Sequence, residues 1–519
     1  MTFTLTQQQQ AFIDGLTCTT GHIALMARAG CGKTSTILAA VDALRKSDPF
    51  AEIAVVAYNK AIADEVGQKL KKAGHTDWKH VQANTLHSMG FGLLRYAYQP
   101  EISGTKTRDI IAQILKHLDL KQELGQALTS DEQRQYATLT RFRTHVAQLV
   151  GYAKQAAVGF FPELPIESAT TWHQLISHYG LEGLDSDLDA VDVVQQAQLV
   201  YRKGLEVTDV IDFDDMILLP LIRRMRVRFG KDVIFLDEAQ DLSPARQALA
   251  RMFLKPHTGR MVMVGDDRQA IYGFSGADAE ALPNMVRYFN ATTYPLSVTW
   301  RCPKAVVAEA QRYVPDIEAA PGAPEGEVLH LAKLPDDLNP ATDAVLCRNT
   351  APLITLAYAL IRQGTPAKVE GRQIGEGLIA LATRWKVKTI NALRTRLAEH
   401  LQRERLKALA KGDPQRAADI EDKVLTLLEV CAACNDRNLH DVADVVSAID
   451  ALFGDGVKGA VTLATYHRSK GREWPRVFLF EHDARCPSKA ARQPWQRQQE
   501  DNLAYVAITR AQQTLAYVG

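Results

Sequence analysis

Residues 27 to 36, ARAGCGKTST, combine small residues, a lysine and hydroxyl side chains in an order that suits phosphate binding. The run follows an apolar stretch and leads into a helical pattern that begins near Lys33. In that context the backbone N–H groups of a glycine-rich loop and the helix N-terminus can face phosphate oxygens. A tight strand-to-helix turn with an exposed lysine would share this composition, and Ala27 stands where the usual pattern has its first glycine.

The side chains of this loop predict separate contacts with a nucleotide. Lys33 would neutralise the β- and γ-phosphates, and the Thr34 hydroxyl would ligate Mg²⁺. Small residues suit the loop because larger side chains would hold its backbone away from the ligand. The predicted nucleotide contacts are Ala29, Gly30, Cys31, Gly32, Lys33, Thr34 and Ser35.

A second run, VIFLDEAQD at residues 233 to 241, ends an apolar strand pattern in two adjacent carboxylates. Asp237 can hold Mg²⁺ through its water shell, and Glu238 can polarise the water that attacks the γ-phosphate. Like charges repel, so paired carboxylates at a strand end are costly unless they have such a role; a solvated strand end is the alternative. Together with the loop, this pair predicts ATP hydrolysis with Mg²⁺ as cofactor.

The elements that would position these residues are apolar runs followed by helical patterns, which favours parallel sheets with helices on their faces. One group of runs is HIALMA (22 to 27), IAVVAY (53 to 58), VIFLDEA (233 to 239) and MVMVGD (261 to 266). A later group is EVLHLA (327 to 332), DAVLCR (343 to 348), AVTLATY (460 to 466) and RVFLFEHD (476 to 483). The sequence therefore predicts an α/β fold with two lobes, each interrupted by a helical insertion.

Composition narrows the class of protein. The 519 residues include 61 basic and 60 acidic side chains, so any surface that binds nucleic acid must be local. The seven cysteines are scattered, which is typical of a reducing cytosol. No apolar run reaches the about 18 residues of a membrane span. We therefore expect a cytoplasmic protein without a membrane partner.

With AGCGKT and LDEAQD in place, the sequence resembles the UvrD/Rep/PcrA-like DNA helicases of superfamily 1, in a compact form. Further family strings follow in order: LTQQQQA, AYNKAIADEV, TLHSMGFGLL, GDDRQAIYGFSGAD, VTWRC, TYHRSKGREW and YVAITRA. The resemblance implies two RecA-like P-loop motor domains, 3′ to 5′ movement on single-stranded DNA, unwinding of duplex DNA, and hydrolysis coupled to closure of the two lobes. DFDD at residues 212 to 215 matches another family string and stays outside the predicted site.

For the nucleoside, the resemblance assigns adenine recognition to Gln9, with Gln8 as the alternative. Trp300 would stack on the adenine in place of the family's tyrosine. Glu473 would approach the ribose, and Gly471 precedes it in the same string.

For the γ-phosphate, the resemblance places Gln269 at the sensor position. Arg301 in VTWRC and Arg510 in YVAITRA would be two arginine fingers. A solitary arginine is usually a surface residue, but both lie inside family strings. They belong to the second lobe and would reach the γ-phosphate when the lobes close.

For DNA, the resemblance assigns Tyr272 and Phe274 to stacking on nucleobases, although core packing could also explain the pair. Other DNA contacts fall in both lobes: Asn59, Lys60, Thr85, His87, His467 and Lys470. The predicted partners are single-stranded DNA and duplex junctions. A solvated helix start is the alternative explanation for Asn59 and Lys60.

The predicted domain organisation has the first motor domain split around residues 96–204 and the second split around residues 376–458, each interruption being a helical insertion. The motor segments are 1–95 and 205–290 in the first domain, and 291–375 and 459–519 in the second.

Two alternatives to a helicase remain. One is a DNA-stimulated ATPase switch that regulates a partner nuclease or a replication or repair protein, with little unwinding by itself. The other is a small-molecule phosphotransferase whose turnover is indifferent to DNA, which leaves the paired arginines and the aromatic string without a role.

Overall fold

A computed structural model gives the fold, and it describes residues 5–77, 79–116, 130–179, 181, 190–273, 276, 280–363, 365–410, 414–453, 459–491 and 493–519. The chain divides into two compact units, one of residues 1–27 with 32–296 and the other of residues 28–31 with 297–519. The loop residues 28–31 thus group with the second unit.

The first unit is organised around a parallel six-stranded sheet. Its elements, in chain order, are α1 (Gln7–Cys18), β1 (Ile23–Ala27), α2 (Lys33–Ser47), β2 (Ile53–Ala57), α3 (Lys60–Lys72), β3 (Val81–Thr85), α4 (Leu86–Tyr98), β4 (Glu101–Ile102), α5 (Lys106–Ile114), α6 (Ser130–Gln155), α7 (Ala169–His178), α8 (Ala190–Glu206), β5 (Val210–Ile211), α9 (Asp215–Ile222), β6 (Val233–Leu236), α10 (Pro244–Met252), β7 (Arg260–Gly265), α11 (Ala281–Phe289) and β8 (Thr292–Leu296).

The order of this sheet is β3-β2-β6-β7-β1-β8, so β1, β6 and β7 lie near its centre. Every neighbouring pair is parallel, with Leu25 opposite Val264 and Leu236 opposite Met263. Strands buried on both faces are apolar throughout, as in IALMA and VIFL. Because the strands are parallel, the loops that follow β1, β6 and β7 emerge at one edge of the sheet.

Helices α5 to α8 fill the insertion of the first unit. Their apolar faces join the same hydrophobic core as the sheet, with Leu149, Trp172 and Tyr201 almost fully buried. The indole N–H of Trp172 donates to the Ile166 carbonyl at 2.8 Å, and the Tyr201 hydroxyl donates to the Val158 carbonyl at 2.7 Å. Both buried aromatic rings therefore have their polar atoms satisfied.

A buried group of four charges, here called the insertion anchor, joins these helices to the DFDD turn. Lys106 Nζ on α5 lies 2.6 Å from Asp215 Oδ2, and Lys154 Nζ on α6 lies 2.6 Å from Asp212 Oδ2 and 2.8 Å from Asp215 Oδ1. Lys106 also donates to the carbonyls of Gly204 and Val207. Removing one member would leave an uncompensated buried charge, at a cost of about 3–5 kcal/mol.

The second unit repeats the plan with another parallel six-stranded sheet. Its elements are β9 (Val298–Thr299), α12 (Lys304–Ala310), β10 (Glu318–Ala319), β11 (Glu327–Leu331), β12 (Asp343–Cys347), α13 (Thr350–Arg362), β13 (Ala367–Val369), α14 (Arg372–Thr383), α15 (Ile390–Ala410), α16 (Pro414–Asn435), α17 (Val442–Phe453), β14 (Val461–Thr465), α18 (Tyr466–Ser469), β15 (Trp474–Phe480), α19 (His482–Arg485), α20 (Pro494–Ile508) and β16 (Ala511–Val518).

The second sheet has the order β11-β16-β15-β12-β14-β13, and all of its pairs are parallel. Helices α14 to α17 pack with it in one core, through residues such as Leu393, Leu427 and Ile449. None of the helices in the described ranges combines the length and apolar composition of a membrane span. The predicted α/β class, with helices flanking two parallel sheets, is confirmed.

Candidate functional site

The predicted phosphate loop, which follows β1, contains two glycines with left-handed backbone conformations. Gly30 and Gly32 have φ values of 73° and 79°, in the left-handed region that favours glycine. A methyl group on Gly30 would lie 2.6 Å from Thr299 Oγ1, so the position has no room for a side chain. Gly32 directly precedes Lys33, the first residue of α2, whose N-terminus carries the partial positive charge that favours anions.

The other predicted residues of this loop surround the same turn. Within the second unit, the Ala29 N–H donates to the Tyr505 hydroxyl at 2.9 Å, and Cys31 is buried. Thr34 and Ser35 lie in the first turn of α2, where Thr34 is half-buried and Ser35 is exposed.

Lys33 and Glu238 form the central ion pair of the first unit. Lys33 Nζ lies 2.7 Å from Glu238 Oε1, and both side chains are largely withdrawn from solvent. Burial lowers the pKa of Lys33, but the carboxylates of Glu238, Asp237 and Asp266 outweigh it and raise that pKa. Lys33 is therefore a cation surrounded by carboxylates.

At Asp237 the effects that disfavour the charged carboxylate are larger than the attraction of Lys33. Burial and the adjacent Glu238 carboxylate raise the pKa of Asp237, and Lys33 offsets only part of that effect. Glu238 has a φ of 53°, and its N–H donates to Asp237 Oδ1 at 3.0 Å. A non-glycine residue in this region is strained, so the structure places the two carboxylates at this turn at some cost.

Hydrogen bonds through Gln240 connect Glu238 to the predicted sensor residue. The Gln240 amide donates to Glu238 Oε2, and its Oε1 accepts from the Asp266 N–H at 3.1 Å. Asp266 Oδ2 in turn accepts from Gln269 Nε2 at 2.8 Å. A methyl group on Gly265 would lie 2.3 Å from Gln240 Oε1, so this glycine is required for the connection.

Gln240 was not predicted as a site residue. The Gln of VIFLDEAQD was the available signal, but the sequence does not place it beside Gly265 at the end of β7. The structure supplies that proximity because β6 and β7 are neighbours in the sheet.

Gln9, the predicted adenine residue, lies on α1 with its side chain only 1% exposed. Its Nε2 donates to Thr36 Oγ1 at 2.9 Å, and its Oε1 accepts from the Thr6 N–H at 2.9 Å in a capping box. A methyl group on Gly32 would lie 3.5 Å from the same Nε2. The structure therefore places the Gln9 amide beside the phosphate loop.

In the second unit, Arg301 and Glu473 are brought together from separate strings. Arg301 Nε donates to Glu473 Oε2 at 2.5 Å, and Gln512 Nε2 donates to Glu473 Oε1 at 3.0 Å. Trp300 is 59% exposed, which leaves its indole ring available for stacking. Gly471 has a φ of 83° in the turn before Glu473.

Arg510 is almost completely buried in the same unit, with 1% exposure. Its guanidinium donates to the carbonyls of Val506 and Arg472 at 2.7 and 3.2 Å, and to Thr509 Oγ1 at 2.9 Å. Burial, with repulsion from Arg301, lowers the pKa of Arg510 to about 9. Arg301 pairs with Glu473, and the two guanidinium groups repel each other, so positive charge is in excess here.

The predicted DNA residues of the first unit begin two helices. Asn59 caps α3 by accepting the Ile62 N–H at 2.9 Å, and Lys60 is the exposed first residue of that helix. Thr85 caps α4 by accepting the Ser88 N–H at 3.1 Å. Both caps are local structural roles that sequence capping rules also explain.

Tyr272, one of the two rings predicted to stack on nucleobases, lies beside another tyrosine of the first unit. Tyr272 is parallel to Tyr58, with ring centres 6.1 Å apart and planes inclined by 10°. Burial, with the nearby Arg246, lowers the pKa of His87 to about 4, so its imidazole is neutral at physiological pH. Phe274 lies outside the described residues.

In the second unit, His467 belongs to α18 and Lys470 directly follows that helix. Burial, with the cations of Arg348, Arg468 and Lys470, lowers the pKa of His467 to about 3. Any contact of His467 with DNA would therefore be made by a neutral ring, while Lys470 supplies the charge.

Comparison with known proteins gives the family. A family model described as the UvrD/REP helicase N-terminal domain matches residues 5–290, more than half of the chain, and the UvrD-like helicase C-terminal domain matches residues 417–518. The chain belongs to the UvrD/REP helicase family. It is accordingly an ATP-hydrolysing enzyme of the helicase class.

Individual relatives agree with this assignment. The helicase is 25% identical to the ATP-dependent DNA helicase UvrD2 of Mycobacterium tuberculosis, over 96% of its own chain and 76% of that protein. It is 23% identical to DNA helicase II of Escherichia coli, over 95% of its own chain and 82% of that protein. The ATP-dependent DNA helicase Rep of Escherichia coli is 25% identical over 52% of this chain and 38% of its own.

The oxygen donors of the helicase's first unit fit a divalent cation. Asp237 and Thr34 offer a carboxylate and a hydroxyl, the ligand types that Mg²⁺ prefers. The raised pKa of the buried Asp237 indicates a carboxylate whose negative charge is not fully compensated. A cation at this position would provide that compensation.

Proposed function

We propose that this helicase hydrolyses ATP to move 3′ to 5′ along single-stranded DNA and to separate duplex strands. The observation that carries nucleotide hydrolysis is an unequal number of opposite charges at each predicted group. In the first unit several carboxylates surround the single cation of Lys33, and in the second unit the two cations of Arg301 and Arg510 outnumber the Glu473 carboxylate. A magnesium nucleotide has a cation for the first group and phosphate oxygens for the second. The family and its named relatives support DNA as the substrate.

On this proposal, Lys33 and Arg301 would each replace a carboxylate that they contact in the structure with phosphate oxygens. Lys33 would release Glu238 and bind the β- and γ-phosphates instead. The Glu238 carboxylate would then be available to polarise water. Gln240 would keep Glu238 oriented through its link to Asp266 and Gln269. Asp237 and Thr34 would hold Mg²⁺, which neutralises phosphate charge when bound.

The arginines would act later in the cycle. Arg301 would exchange Glu473 for phosphate oxygen, and Arg510 would stabilise the charge that develops as the γ-phosphate is transferred. Since both residues belong to the second unit, we propose that closure of the two motor domains delivers them. Domain closure of this kind couples hydrolysis to movement.

The test is ATP-dependent strand displacement at low salt on duplexes that carry either a 3′ or a 5′ single-stranded tail. Low salt is chosen because phosphate contacts weaken steeply as salt rises. ATPase rates with and without DNA are measured in parallel. Unwinding only from the 3′ tail is expected, and unwinding only from the 5′ tail would reverse the proposed direction.

DNA-stimulated hydrolysis without displacement would instead favour the switch that acts through a protein partner. Hydrolysis indifferent to DNA would contradict both. A Lys33→Ala preparation serves as the control for contaminating ATPase in each arm.

A further inference from the structure

The amino-terminal edge of the first sheet, where its strands begin, carries four strongly exposed aromatic rings. Phe50, Tyr96, Phe229 and Tyr288 are 61–77% exposed, more than any other large apolar side chain that the structure describes. Single exposed apolar side chains are ordinary on protein surfaces, but several gathered in one place mark a binding surface. The position of these rings therefore needs an explanation that folding of the first unit does not give.

Backbone hydrogen bonds place the segments that carry these rings side by side. The Asp232 N–H, before β6, donates to the Glu52 carbonyl, before β2, at 2.8 Å. The Lys231 N–H donates to the Phe253 carbonyl, at the end of α10, also at 2.8 Å. Because the strands are parallel, this edge is opposite to the one from which the loops of the predicted nucleotide site emerge.

Two arginines lie against two of the rings. The guanidinium carbon of Arg228 is 4.5 Å from the ring centre of Tyr96, and that of Arg251 is 5.0 Å from the ring centre of Tyr288. A guanidinium has a rigid fork of N–H donors that matches a carboxylate with two parallel hydrogen bonds. Arginine and tyrosine are also the residue types that contribute most to binding at protein–protein interfaces.

Positive charge at this edge is only partly neutralised within the chain. Lys255 pairs with Asp232 at 2.8 Å and with Glu52 at 3.6 Å. Four exposed arginines form no ion pair with a carboxylate in the described ranges: Arg224, Arg226, Arg228 and Arg251. The carboxylates of Asp232 and Glu52 interrupt the positive charge, which disfavours a continuous phosphate backbone and suits an anion with separate carboxylates.

We propose that this edge binds an acidic segment of another protein. The docking surface, here called the Arg228 surface, consists of Phe50, Tyr96, Arg228, Phe229, Arg251 and Tyr288. Arg228 and Arg251 each hold a carboxylate of the segment, and apolar side chains of the segment cover the rings.

The size of the Arg228 surface agrees with such a role. Aromatic side chains of this kind bury about 150–250 Å² each, so four rings exposed to this degree supply roughly half of the about 800 Å² that one partner contributes to a standard interface. The inference goes beyond the proposed function, because none of these residues belongs to the predicted ATP or DNA sites. It would give a regulatory or recruiting protein a place to bind without blocking the nucleotide.

The experiment measures fluorescence anisotropy of a labelled peptide that repeats Glu-Asp-Leu-Phe, titrated with the full chain. A second peptide has Gln and Asn in place of Glu and Asp. The acidic peptide should bind the wild type at least about 10-fold more tightly than the neutral one, and its affinity should fall as salt rises.

Substitutions in the Arg228 surface should weaken binding of the acidic peptide. Arg228→Gln and Phe229→Ala should each lower the affinity at least about 10-fold, as the loss of a central arginine or aromatic contact does. Arg228→Lys should not restore it, since an ammonium cannot make the paired contact of a guanidinium.

Matched controls come from the second unit. Arg384 is exposed, and its guanidinium carbon lies 5.8 Å from the ring centre of Trp385, so it reproduces an arginine beside a ring. Leu406 on α15 is another exposed apolar side chain, at 57%. Arg384→Gln and Leu406→Ala should bind the peptide as the wild type does. Every variant should keep the wild-type melting temperature and DNA-stimulated ATPase rate.

Equal affinity of the wild type for the two peptides, or wild-type affinity in both Arg228→Gln and Phe229→Ala, would overturn the proposal. A lower affinity for oligothymidine in Arg228→Gln, with peptide binding unchanged, would make the edge a nucleic-acid site instead. A wild-type dimer in sedimentation that Phe229→Ala dissociates would assign the edge to a second copy of this chain. None of these results bears on strand displacement, so the proposed function stands or falls separately.

Discussion

The groups around Lys33 and around Arg510 are opposite in charge but similar in construction. In the first unit, Asp237, Glu238 and Asp266 surround one lysine, and the pKa of Asp237 is raised. In the second unit, Arg301 pairs with Glu473, and burial together with repulsion from Arg301 lowers the pKa of Arg510. Each unit therefore holds a surplus of one sign of charge in a buried place.

The difference lies in what each surplus can bind. Excess carboxylate attracts a metal ion and repels phosphate, whereas excess guanidinium attracts phosphate and repels metal. On the proposed function, a magnesium nucleotide would supply the cation that the first group lacks and the phosphate oxygens that the second group lacks.

Lys33→Ala should have the largest effect. It removes the cation of the first unit and leaves three carboxylates to repel the phosphates, so ATP turnover should fall below detection. Steady-state ATPase assays with saturating DNA measure this. Lys46→Ala on the same helix is the control, because Lys46 is exposed and pairs only with Asp42 among the described residues.

Arg510→Ala should lower kcat about a thousandfold while nucleotide affinity changes little, since an arginine finger acts mainly in the transition state. Arg510→Lys should not restore the rate, because a lysine cannot replace the guanidinium geometry. The melting temperature must be measured too, as the side chain is buried. Turnover at the wild-type rate in Arg510→Ala would contradict the proposal that domain closure delivers Arg510 to the γ-phosphate.

Gln240→Ala should have an intermediate effect on ATP turnover. It tests whether the carboxylates of the first unit must be held in a fixed orientation. Glu238 would lose the donor that orients it, and we expect kcat to fall about 10- to 100-fold, with KM for ATP nearly unchanged. Gln247→Ala on the neighbouring helix is the control. A change in KM alone would mean that Gln240 acts on binding instead of positioning the base.

Asp237→Asn should have the smallest effect, on stability without nucleotide or metal. Burial and Glu238 raise the pKa of Asp237 from 3.8 to about 6, so the folded state binds this proton more tightly than the unfolded state. The stability that Asp237 contributes is therefore present below pH 3.8 and is lost as pH rises through about 6.

The substitution should accordingly stabilise the protein at pH 8 by about 1–3 kcal/mol, since one pKa unit corresponds to about 1.4 kcal/mol. The gain should shrink as pH falls through about 6, as followed by thermal melting. Asp336→Asn, at an exposed carboxylate, should show no such dependence. A gain that grows toward low pH would contradict the charge surplus of the first unit.

Sequence patterns predict the fold where strands are apolar on both faces. VIFL and IAVVA are continuous apolar runs and form β6 and β2. By contrast, β16 begins with Ala-Gln-Gln-Thr and carries no such signal, although it lies between β11 and β15. Its first half is only partly buried, so polar residues are tolerated there, and its position depends on pairing with β15.

Sequence patterns also predict the candidate site only in part. The types and order of Lys33, Asp237 and Glu238 predict a phosphate-binding loop with adjacent carboxylates, and the structure brings Lys33 and Glu238 into contact. Which partner each group has in the absence of ligand depends on three-dimensional proximity. The Arg301–Glu473 pair and the burial of Arg510 could not be read from spacing alone.

The insertion anchor has a consequence for exchanging parts between related motors. Lys106 and Lys154 come from the inserted helices, whereas Asp212 and Asp215 come from the turn that follows them. A chimera that transplants residues 96–204 alone would separate the two halves of this charge group and bury the unmatched remainder. The transferable module therefore extends through Asp215, and a recombination point after α9 should preserve folding where one after α8 would not.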